Sequence, residues 1–305
     1  MSPRAYQRVA AAALGALAFI VVTGAAVRLT GSGLGCPDWP TCTRDRIVAP
    51  LEYHAMVEFL NRTVTGAVSV AVVVAVLGAL WRVPRRTDLV WLSLGLVAGV
   101  AAQVVLGGLT VIFHLAPPVV MGHFLLSMVL IANAVVLHHR AARPEGWVTR
   151  PRAAPAVRHA AGAMIGLASV VLVTGTVVTA SGPHGGDADV ARLGFFVPDV
   201  ARVHGVSVVG FLAVTIATLL VARRHAAPEV TRSGTVLLAV LVGQAAIGYT
   251  QYFLGVPVVL VALHVAGATA VWVATLRFFL ATHDHRAPTP TPVAGVVDHV
   301  PAAAP

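Results

Sequence analysis

The sequence predicts an all-α integral membrane protein with eight transmembrane helices. Of its 305 residues, 57% are hydrophobic and only 11% are charged, and the mean hydropathy is +0.84. Soluble domains carry about 25% charged residues, so a soluble domain with so little charge would be unusual. A helix needs about 20 mostly apolar residues to cross a bilayer. The segments that meet this condition lie at approximately 9–28, 55–80, 89–113, 119–138, 160–180, 200–221, 234–253 and 258–280.

A repeat divides the predicted helices into two tandem four-helix bundles. Gln103 lies twenty residues before His123, and Gln244 lies twenty residues before His264. Each pair spans the end of one apolar segment, a tight reversal and the start of the next. Because each half contains an even number of spans, both halves begin on the same side of the membrane. We therefore expect the halves to be related by a pseudo-two-fold axis along the membrane normal.

The repeat and the loop compositions predict the domain organisation. The segment between the halves is rich in Arg and Pro, and the end of the chain is rich in Pro and Ala without apolar periodicity. The latter composition is typical of disorder. The predicted regions are an N-terminal half, a cytoplasmic linker, a C-terminal half and a disordered cytoplasmic tail, at 1–138, 139–159, 160–280 and 281–305.

The basic residues predict the orientation in a cell membrane. The net charge is +9 at pH 7, and arginines concentrate in alternate loops, at 82–86, 140–158 and 223–232. The positive-inside rule places these loops and both termini in the cytoplasm. This distribution accounts for the basic charge, so no nucleic-acid partner is predicted.

The first apolar segment follows two arginines and resembles a signal peptide in that respect. However, its Val-Thr-Gly sequence at 22–24 recurs at 173–175. A segment that is echoed inside the chain is expected to belong to the fold rather than to be removed.

Both cysteines of the chain, Cys36 and Cys42, lie in the first outer loop. An oxidising outer location permits a disulfide, so we predict a disulfide or a redox-active pair. Zinc binding is less favoured, because two thiolates need further ligands and only His54 is near in sequence.

His204 and His264 are the strongest candidates for metal ligands. Ionisable side chains inside a bilayer are costly and usually functional. The two histidines lie on different predicted helices at comparable depth, with Gly205 and Gly267 beside them. Haem iron commonly takes axial histidines, so the pattern predicts a bound haem. The alternative is a pair of structural histidines that are hydrogen-bonded across helices.

The N-terminal half differs in one candidate ligand. His123 is the counterpart of His264, but the counterpart of His204 is Asn61, which is a poor haem ligand. This half is therefore predicted to hold a haem with a more open side, as a substrate site requires. His54 and His114 are alternative ligands, although each is also explained as an interfacial or loop residue.

Glu58 is the one acidic residue placed within a predicted span, and we assign it a catalytic or substrate-orienting role. The alternative is a structural ion pair with Arg62 or Arg28. Arg62 and Arg202 lie beside the two ligand zones and are candidates to bind haem propionates. Ordinary interfacial placement of these two arginines is the competing interpretation.

These residues together resemble the heme A synthase family, over about residues 8 to 280. The combination is specific, although each motif alone is weak. The resemblance is carried by the outer-loop motif at 31–42, the Glu-Phe-Leu-Asn-Arg motif at 58–62, the Gly-Gly-Leu-Thr-Val motif at 107–111, and His123, His204 and His264.

The resemblance implies an enzyme that oxidises the C8 methyl group of haem O to the formyl group of haem A by successive hydroxylations and loss of water. It implies a haem b held by His204 and His264, a substrate haem held by His123, and functional roles for Glu58 and the cysteine pair. The implied partners are haem O, haem O synthase, terminal cytochrome oxidase assembly and membrane lipid, and a homo-oligomer is left open.

The chain departs from the family at Asn61, where the family usually has His. We therefore expect the substrate haem to bind through His123 alone or with His54 as a second ligand. Two other functions remain open: a diheme, quinol-linked electron-transfer cytochrome, and a haem carrier or assembly factor without turnover. The Asn61 asymmetry, Glu58 and the cysteine loop argue against the cytochrome.

Overall fold

The structure, a computed structural model, describes residues 1–143 and 148–286. The described part contains eight α helices and two short β strands, so the predicted number of helices is confirmed. The bounds are α1 Pro3–Leu29, α2 Tyr53–Trp81, α3 Thr87–Ile112, α4 Pro117–Ala141, β1 Val148–Pro151, α5 Pro155–Ser181, α6 Val197–His225, α7 Pro228–Phe253, α8 Val258–Ala281 and β2 His283–Arg286.

Each of the eight helices is long and apolar enough to cross a membrane. Helices suit a bilayer because they satisfy every internal backbone hydrogen bond within one segment. Five of them, α1, α4, α5, α6 and α7, carry Pro at the first or second helical position. Proline lacks an N–H group that would be unpaired there anyway, so it marks where these helices begin. The chain is thus a multi-pass membrane protein.

The helices of each half pack in the same pattern. In the N-terminal half, α1 packs on α2, α2 on α3, α3 on α4, and α4 returns to α1. The C-terminal half repeats this order with α5 to α8. Among the described helices, α2 does not pack directly on α4, nor α6 on α8, so these pairs lie diagonally across their bundles. The symmetry axis between the halves stays a prediction.

The two halves share one core. Helix α8 packs on α1 and α4, and α5 packs on α4. The indole Nε1 of Trp272 donates a hydrogen bond to the Met128 carbonyl across this boundary, at 2.8 Å. The boundary between the halves, lined by α1, α4, α5 and α8, is called the seam below.

The reversals before α4 and α8 have the same backbone. Leu115 and Val256 both adopt positive φ, at 57° and 55°, which is uncommon for residues other than Gly. Their amides donate to the carbonyls of Thr110 and Gln251 respectively, both at 2.7 Å. The repeat therefore extends to the loop backbone, and α4 and α8 begin in equivalent ways. The loops at this end of the bundle define the outer end, after the predicted orientation, and the opposite end is the inner end.

A pair of strands joins the predicted linker to the first residues of the predicted tail. β1, in the linker, pairs antiparallel with β2, which follows α8. Residues 283–286 are therefore ordered by pairing, whereas the sequence placed them in a disordered tail that starts at residue 281. The rest of that predicted tail, 287–305, lies outside the described residues. A strand needs a partner, and this partner is more than 130 residues away in the chain, so composition alone did not reveal it.

Candidate functional site

His204 and His264 face each other across the C-terminal bundle. Both lie two turns from the outer end of their helices, α6 and α8. Their ring centroids are 6.4 Å apart, with an interplanar angle of 77°. Because α6 and α8 lie diagonally, the two imidazoles meet across the bundle.

A side chain of α5 orients His204. The Thr174 hydroxyl lies 3.1 Å from Nδ1 of His204 and also contacts the carbonyls of Val170 and Val171. A hydroxyl has one proton, so if it donates to a carbonyl it accepts from Nδ1 of the imidazole. That tautomer leaves Nε2 without a proton. A Cβ built on Gly175 would lie 3.1 Å from Cε1 of His204, so this glycine makes room for the ring.

His264 has an equivalent pair of neighbours on α7. Nε2 of Gln244 lies 2.9 Å from Nδ1 of His264 and 2.8 Å from its carbonyl oxygen. A Cβ on Gly248 would lie 2.9 Å from Cε1 of His264. Within the described chain, Oε1 of Gln244 is buried and has no hydrogen-bond partner. In the contact with His264, the Gln244 amide nitrogen is a donor, so Nδ1 of the imidazole accepts.

The spacing of the two rings fits axial ligation of one iron. Two metal–nitrogen bonds of about 2 Å each, plus the distance from each nitrogen to its ring centre, put the centroids roughly 6 Å apart. In the described residues, no cluster of three or more His, Cys, Asp or Glu side chains could hold a metal. A porphyrin needs only two protein ligands because its own nitrogens supply the others. A direct edge-to-face contact between the rings is the competing interpretation of this distance.

The N-terminal half places His123 in the same position but holds it differently. His123 is the seventh residue of α4, as His264 is of α8, and a Cβ on Gly107 would lie 3.4 Å from its Cε1. Nε2 of Gln103 donates to the His123 carbonyl, at 3.1 Å, and to the hydroxyl of Ser127, at 2.7 Å. No described group hydrogen-bonds Nδ1 of the His123 imidazole, which is buried.

Two substitutions between the halves explain the different contacts of the glutamines. On α8, the third residue after His264 is Gly267. On α4, the third residue after His123 is Leu126. A Cβ at Gly267 would collide with the Gln244 side chain, so glycine lets Gln244 approach the imidazole. Ser127 supplies a hydroxyl to Gln103, where α8 has Ala268.

Asn61 occupies the position of His204. The Thr23 hydroxyl donates to Oδ1 of Asn61, at 2.8 Å, as the Thr174 hydroxyl contacts His204. Within the described chain, no atom comes within 4 Å of a Cβ built on Gly24, the neighbour of Thr23. The shorter amide side chain therefore leaves space beside α1 that the imidazole of His204 fills beside α5.

Glu58 and Arg62 form a buried ion pair that holds the first outer loop. Oε1 of Glu58 lies 2.6 Å from Nη2 of Arg62, and the side chains are 8% and 24% exposed. Oε2 of Glu58 accepts from the Cys36 amide at 2.7 Å. The Arg62 guanidinium donates to the carbonyls of Cys36, Asp38 and Thr41. The structure thus gives Glu58 the ion pair with Arg62 that the sequence offered as its alternative role.

The loop that this pair holds also contacts α3. Cys36 and Cys42 form a disulfide, which confirms the predicted disulfide. A Cβ on Gly108 would lie 2.7 Å from two ring atoms of Trp39, so the indole packs against the α3 backbone. Gly108 follows Gly107, the residue beside His123. The loop therefore covers the outer end of the N-terminal bundle close to His123.

The remaining predicted residues lie farther out. His54 is exposed, its Nδ1 lies 2.9 Å from the Ser32 hydroxyl, and it precedes Asn61 by seven residues, about 10 Å along the helix. Arg202 is exposed and lies 3.3 Å from Asp199. His114 lies in the reversal before α4 with φ of 49°. The structure does not bring His54 or His114 to the level of His123, and the ligand and propionate roles of these residues and of Arg202 stay predictions.

The Val-Thr-Gly and Gln repeats were recognised in the sequence, but no role was predicted for their residues. In the structure, Thr174 and Gln244 contact the imidazoles of His204 and His264. Gly175 and Gly248 leave space for the two rings. The repeated spacing was the available signal.

The fold and the site define a helical membrane protein whose two bundles present an imidazole pair and an imidazole with an amide. The family described as cytochrome oxidase assembly protein matches residues 7–56 and 48–183, more than half of the chain. The chain belongs to this family, that of the heme A synthases. The matched residues include Asn61 and His123 and end before His204.

Curated relatives are similar over shorter stretches. A heme A synthase of Bacillus licheniformis is 28% identical over 123 residues, 40% of each chain. One of Geobacillus thermodenitrificans is 34% identical over 100 residues, which are 32% of this chain and 30% of that protein. A protoheme IX farnesyltransferase of Thermus thermophilus is 36% identical over 89 residues, 28% of this chain and 15% of that protein. The chain thus spans less than half the length of each of these three relatives.

Proposed function

We propose that this protein is a heme A synthase that oxidises the C8 methyl group of haem O to a formyl group. The observation that carries the proposal is the unequal pair of sites within one repeated fold. The family membership and the relatives named heme A synthase support the reaction, and the similarity to a protoheme IX farnesyltransferase fits a haem O substrate.

The C-terminal bundle would hold a resident haem b between His204 and His264. This assignment is supported by the centroid distance of 6.4 Å and by Thr174 and Gln244, which contact Nδ1 of each ring. A haem with two axial histidines supplies electron transfer, and here it would accept electrons from the substrate side. The protein itself supplies the position and the orientation of both imidazoles.

The N-terminal bundle would bind haem O through His123. The side chain opposite is Asn61, so the second face of the substrate iron is left open in this proposal. The open face suits a group that must enter, react and leave, as does Nδ1 of His123, which has no hydrogen-bond partner among the described residues. Glu58 and Arg62 would act as positioning residues, because they hold the disulfide loop over this bundle.

The proposal is tested by expressing the full-length protein with haem O and extracting the haems. We expect haem A or its hydroxylated intermediate from the unaltered protein. His264→Ala should abolish the resident haem signal, His123→Ala should abolish conversion while the resident signal remains, and His225→Ala, at an exposed position on α6, serves as the control. Unchanged haem O with a full resident haem signal would favour an electron-transfer cytochrome or a haem carrier instead.

A further inference from the structure

Arg28 lies at the outer end of the seam as a cation without a counter-charge. It is the second-last residue of α1, and its Nη2 donates to the carbonyl of Thr179 near the end of α5, at 2.6 Å. Nε of Arg28 is buried and has no hydrogen-bond partner in the described chain. The sequence offered Arg28 as a partner for Glu58, but Glu58 pairs with Arg62. None of the described carboxylates forms an ion pair with Arg28.

A second guanidinium lies close to Arg28 in the loop between α5 and α6, residues 182–196. A Cβ built on Gly186 would lie 3.6 Å from Cγ of Arg28, and one on the neighbouring Gly185 would collide with the guanidinium of Arg192. Arg192 donates to a carbonyl of its own loop, at 2.6 Å. The carboxylate of Asp187, in the same loop, accepts from a loop amide and pairs with neither arginine. Two like charges repel, so an anion beside them would stabilise this arrangement.

The loop that carries Arg192 covers the outer end of the C-terminal bundle. Nε2 of His184, in this loop, lies 2.8 Å from a carbonyl of the reversal before α8. Thr179 lies five residues after Thr174, the residue that contacts His204, and is therefore about 7.5 Å nearer the outer end of α5. A haem held between α6 and α8 turns its edges toward α5 and α7, because its plane is perpendicular to the axial bonds. The Arg28 guanidinium thus lies outward of the imidazole pair, on the side that such an edge faces.

The free donors of Arg28 fit a carboxylate. Nε and the Nη atom beside it form a planar fork that matches the two oxygens of a carboxylate group. A buried charge that lacks a partner is destabilising, so a group that supplies the counter-charge binds there with advantage. The competing interpretation is that Arg28 only caps the last carbonyls of α5, but the contact with Thr179 leaves Nε unexplained.

We propose that Arg28, with Arg192 beside it, binds a propionate carboxylate of the haem held by His204 and His264. A residue of the N-terminal half thereby completes the haem site of the C-terminal half. This inference rests on the resident haem of the proposed function.

The test compares two porphyrins that differ only in the charge of their propionates, protohaem and its dimethyl ester. Each is titrated into the full-length apoprotein in detergent, and binding is followed by absorption. The His123→Ala background leaves the resident site as the one under test. Arg28→Gln removes the guanidinium, and Arg28→Lys keeps its charge. Arg44→Gln is the matched control, because Arg44 is an exposed arginine of the first outer loop.

We expect Arg28→Gln to weaken protohaem binding about tenfold, the loss expected for one charge-assisted hydrogen-bonded contact, and to leave the affinity for the ester unchanged. Arg28→Lys should lose less, and Arg44→Gln should lose nothing. Equal losses for both porphyrins would show that Arg28 only supports α5 and would overturn the proposal. So would a larger loss in Arg202→Gln, or a loss seen only in a His264→Ala background, where the N-terminal site is the one under test.

Failure of the proposed function gives a different result. If the His123→Ala protein binds neither porphyrin, the resident haem itself is wrong and the propionate contact falls with it. Tryptophan fluorescence during chemical unfolding reports whether each variant has folded. If Arg28→Gln has not folded, Arg192→Gln takes its place, with a smaller loss expected for protohaem and again none for the ester.

Discussion

The two four-helix halves have the same helix order, the same outer reversals and the same glycines beside their histidines, yet they hold their polar side chains differently. In the C-terminal half, both imidazoles have Nδ1 in contact with a side chain from a neighbouring helix, Thr174 or Gln244. In the N-terminal half, one imidazole is replaced by Asn61. Nδ1 of His123 has no hydrogen-bond partner among the described residues.

The comparison shows how few changes separate a resident site from an exchangeable one. Exchange of His204 for Asn61 removes a ligand and leaves space beside Gly24. Exchange of Gly267 for Leu126, with Ser127 in place of Ala268, draws the glutamine away from the imidazole. The helices of both halves pack in the same order despite these exchanges, because the exchanged side chains project into the space between the helices.

The largest effect is expected from restoring the missing imidazole with Asn61→His. The new ring has space beside Gly24 and would meet His123 as His204 meets His264. We expect the N-terminal haem to gain a second axial histidine, so its absorption spectrum should change to that of a six-coordinate haem, while haem A is still formed because the family usually has His at this position. Haem extraction and absorption spectra measure both effects.

The control for this variant is Asn61→Ala, which keeps the face open and should leave the spectrum of the N-terminal haem as it is in the unaltered protein. An unchanged spectrum in Asn61→His would show that the side chain at position 61 does not face the iron.

An intermediate effect is expected at the ion pair, which the C-terminal half lacks, since Ala201 and Gly205 stand at the equivalent positions. Glu58→Gln leaves the half-buried Arg62 without its carboxylate and should destabilise the protein by about 3 kcal/mol. Chemical unfolding in detergent, followed through tryptophan fluorescence, measures this loss. The double variant Glu58→Gln/Arg62→Gln should be less destabilised than the sum of the single variants.

The same variant separates the two roles considered for Glu58. If Glu58 contacts the substrate directly and has no structural role, Glu58→Gln will lose turnover while its stability stays unchanged. A loss of stability that the double variant partly restores identifies the carboxylate as a positioning residue for the loop.

The smallest effect is expected at two equivalent glycines, Gly175 on α5 and Gly24 on α1. Gly175→Ala puts a methyl group 3.1 Å from Cε1 of His204, and the ring must shift, at a cost of about 1 kcal/mol. Gly24→Ala meets open space beside Asn61 and should be neutral or slightly stabilising. Resident haem affinity, measured by haem titration of the apoprotein, should fall several-fold only in Gly175→Ala. Equal losses in both variants would mean that the two spaces are alike.

Much of the architecture and part of the site could be read from the sequence. Long apolar segments predict spanning helices because the bilayer allows few alternatives, and the Gln-to-His spacing correctly paired His123 with His264 in depth. Asn61 was recognised as the counterpart of His204 from its position alone. The sequence left the partners of Glu58 and Arg62 open. Their spacing permits an ion pair, but it does not show that Glu58 accepts from the Cys36 amide or which loop carbonyls accept from Arg62.

The sequence by itself determined the class of protein, the eight spans, the repeat and the polar residues within the spans, since these follow from local composition and periodicity. Only the tertiary structure decided what those residues contact. It placed Thr174 and Gln244 on the imidazoles, bound Glu58 and Arg62 to the disulfide loop, paired β1 with β2, and brought Arg28 of α1 to the end of α5. Such contacts depend on which helices become neighbours and how they rotate, and that is settled by the packing of the whole bundle rather than by any one segment.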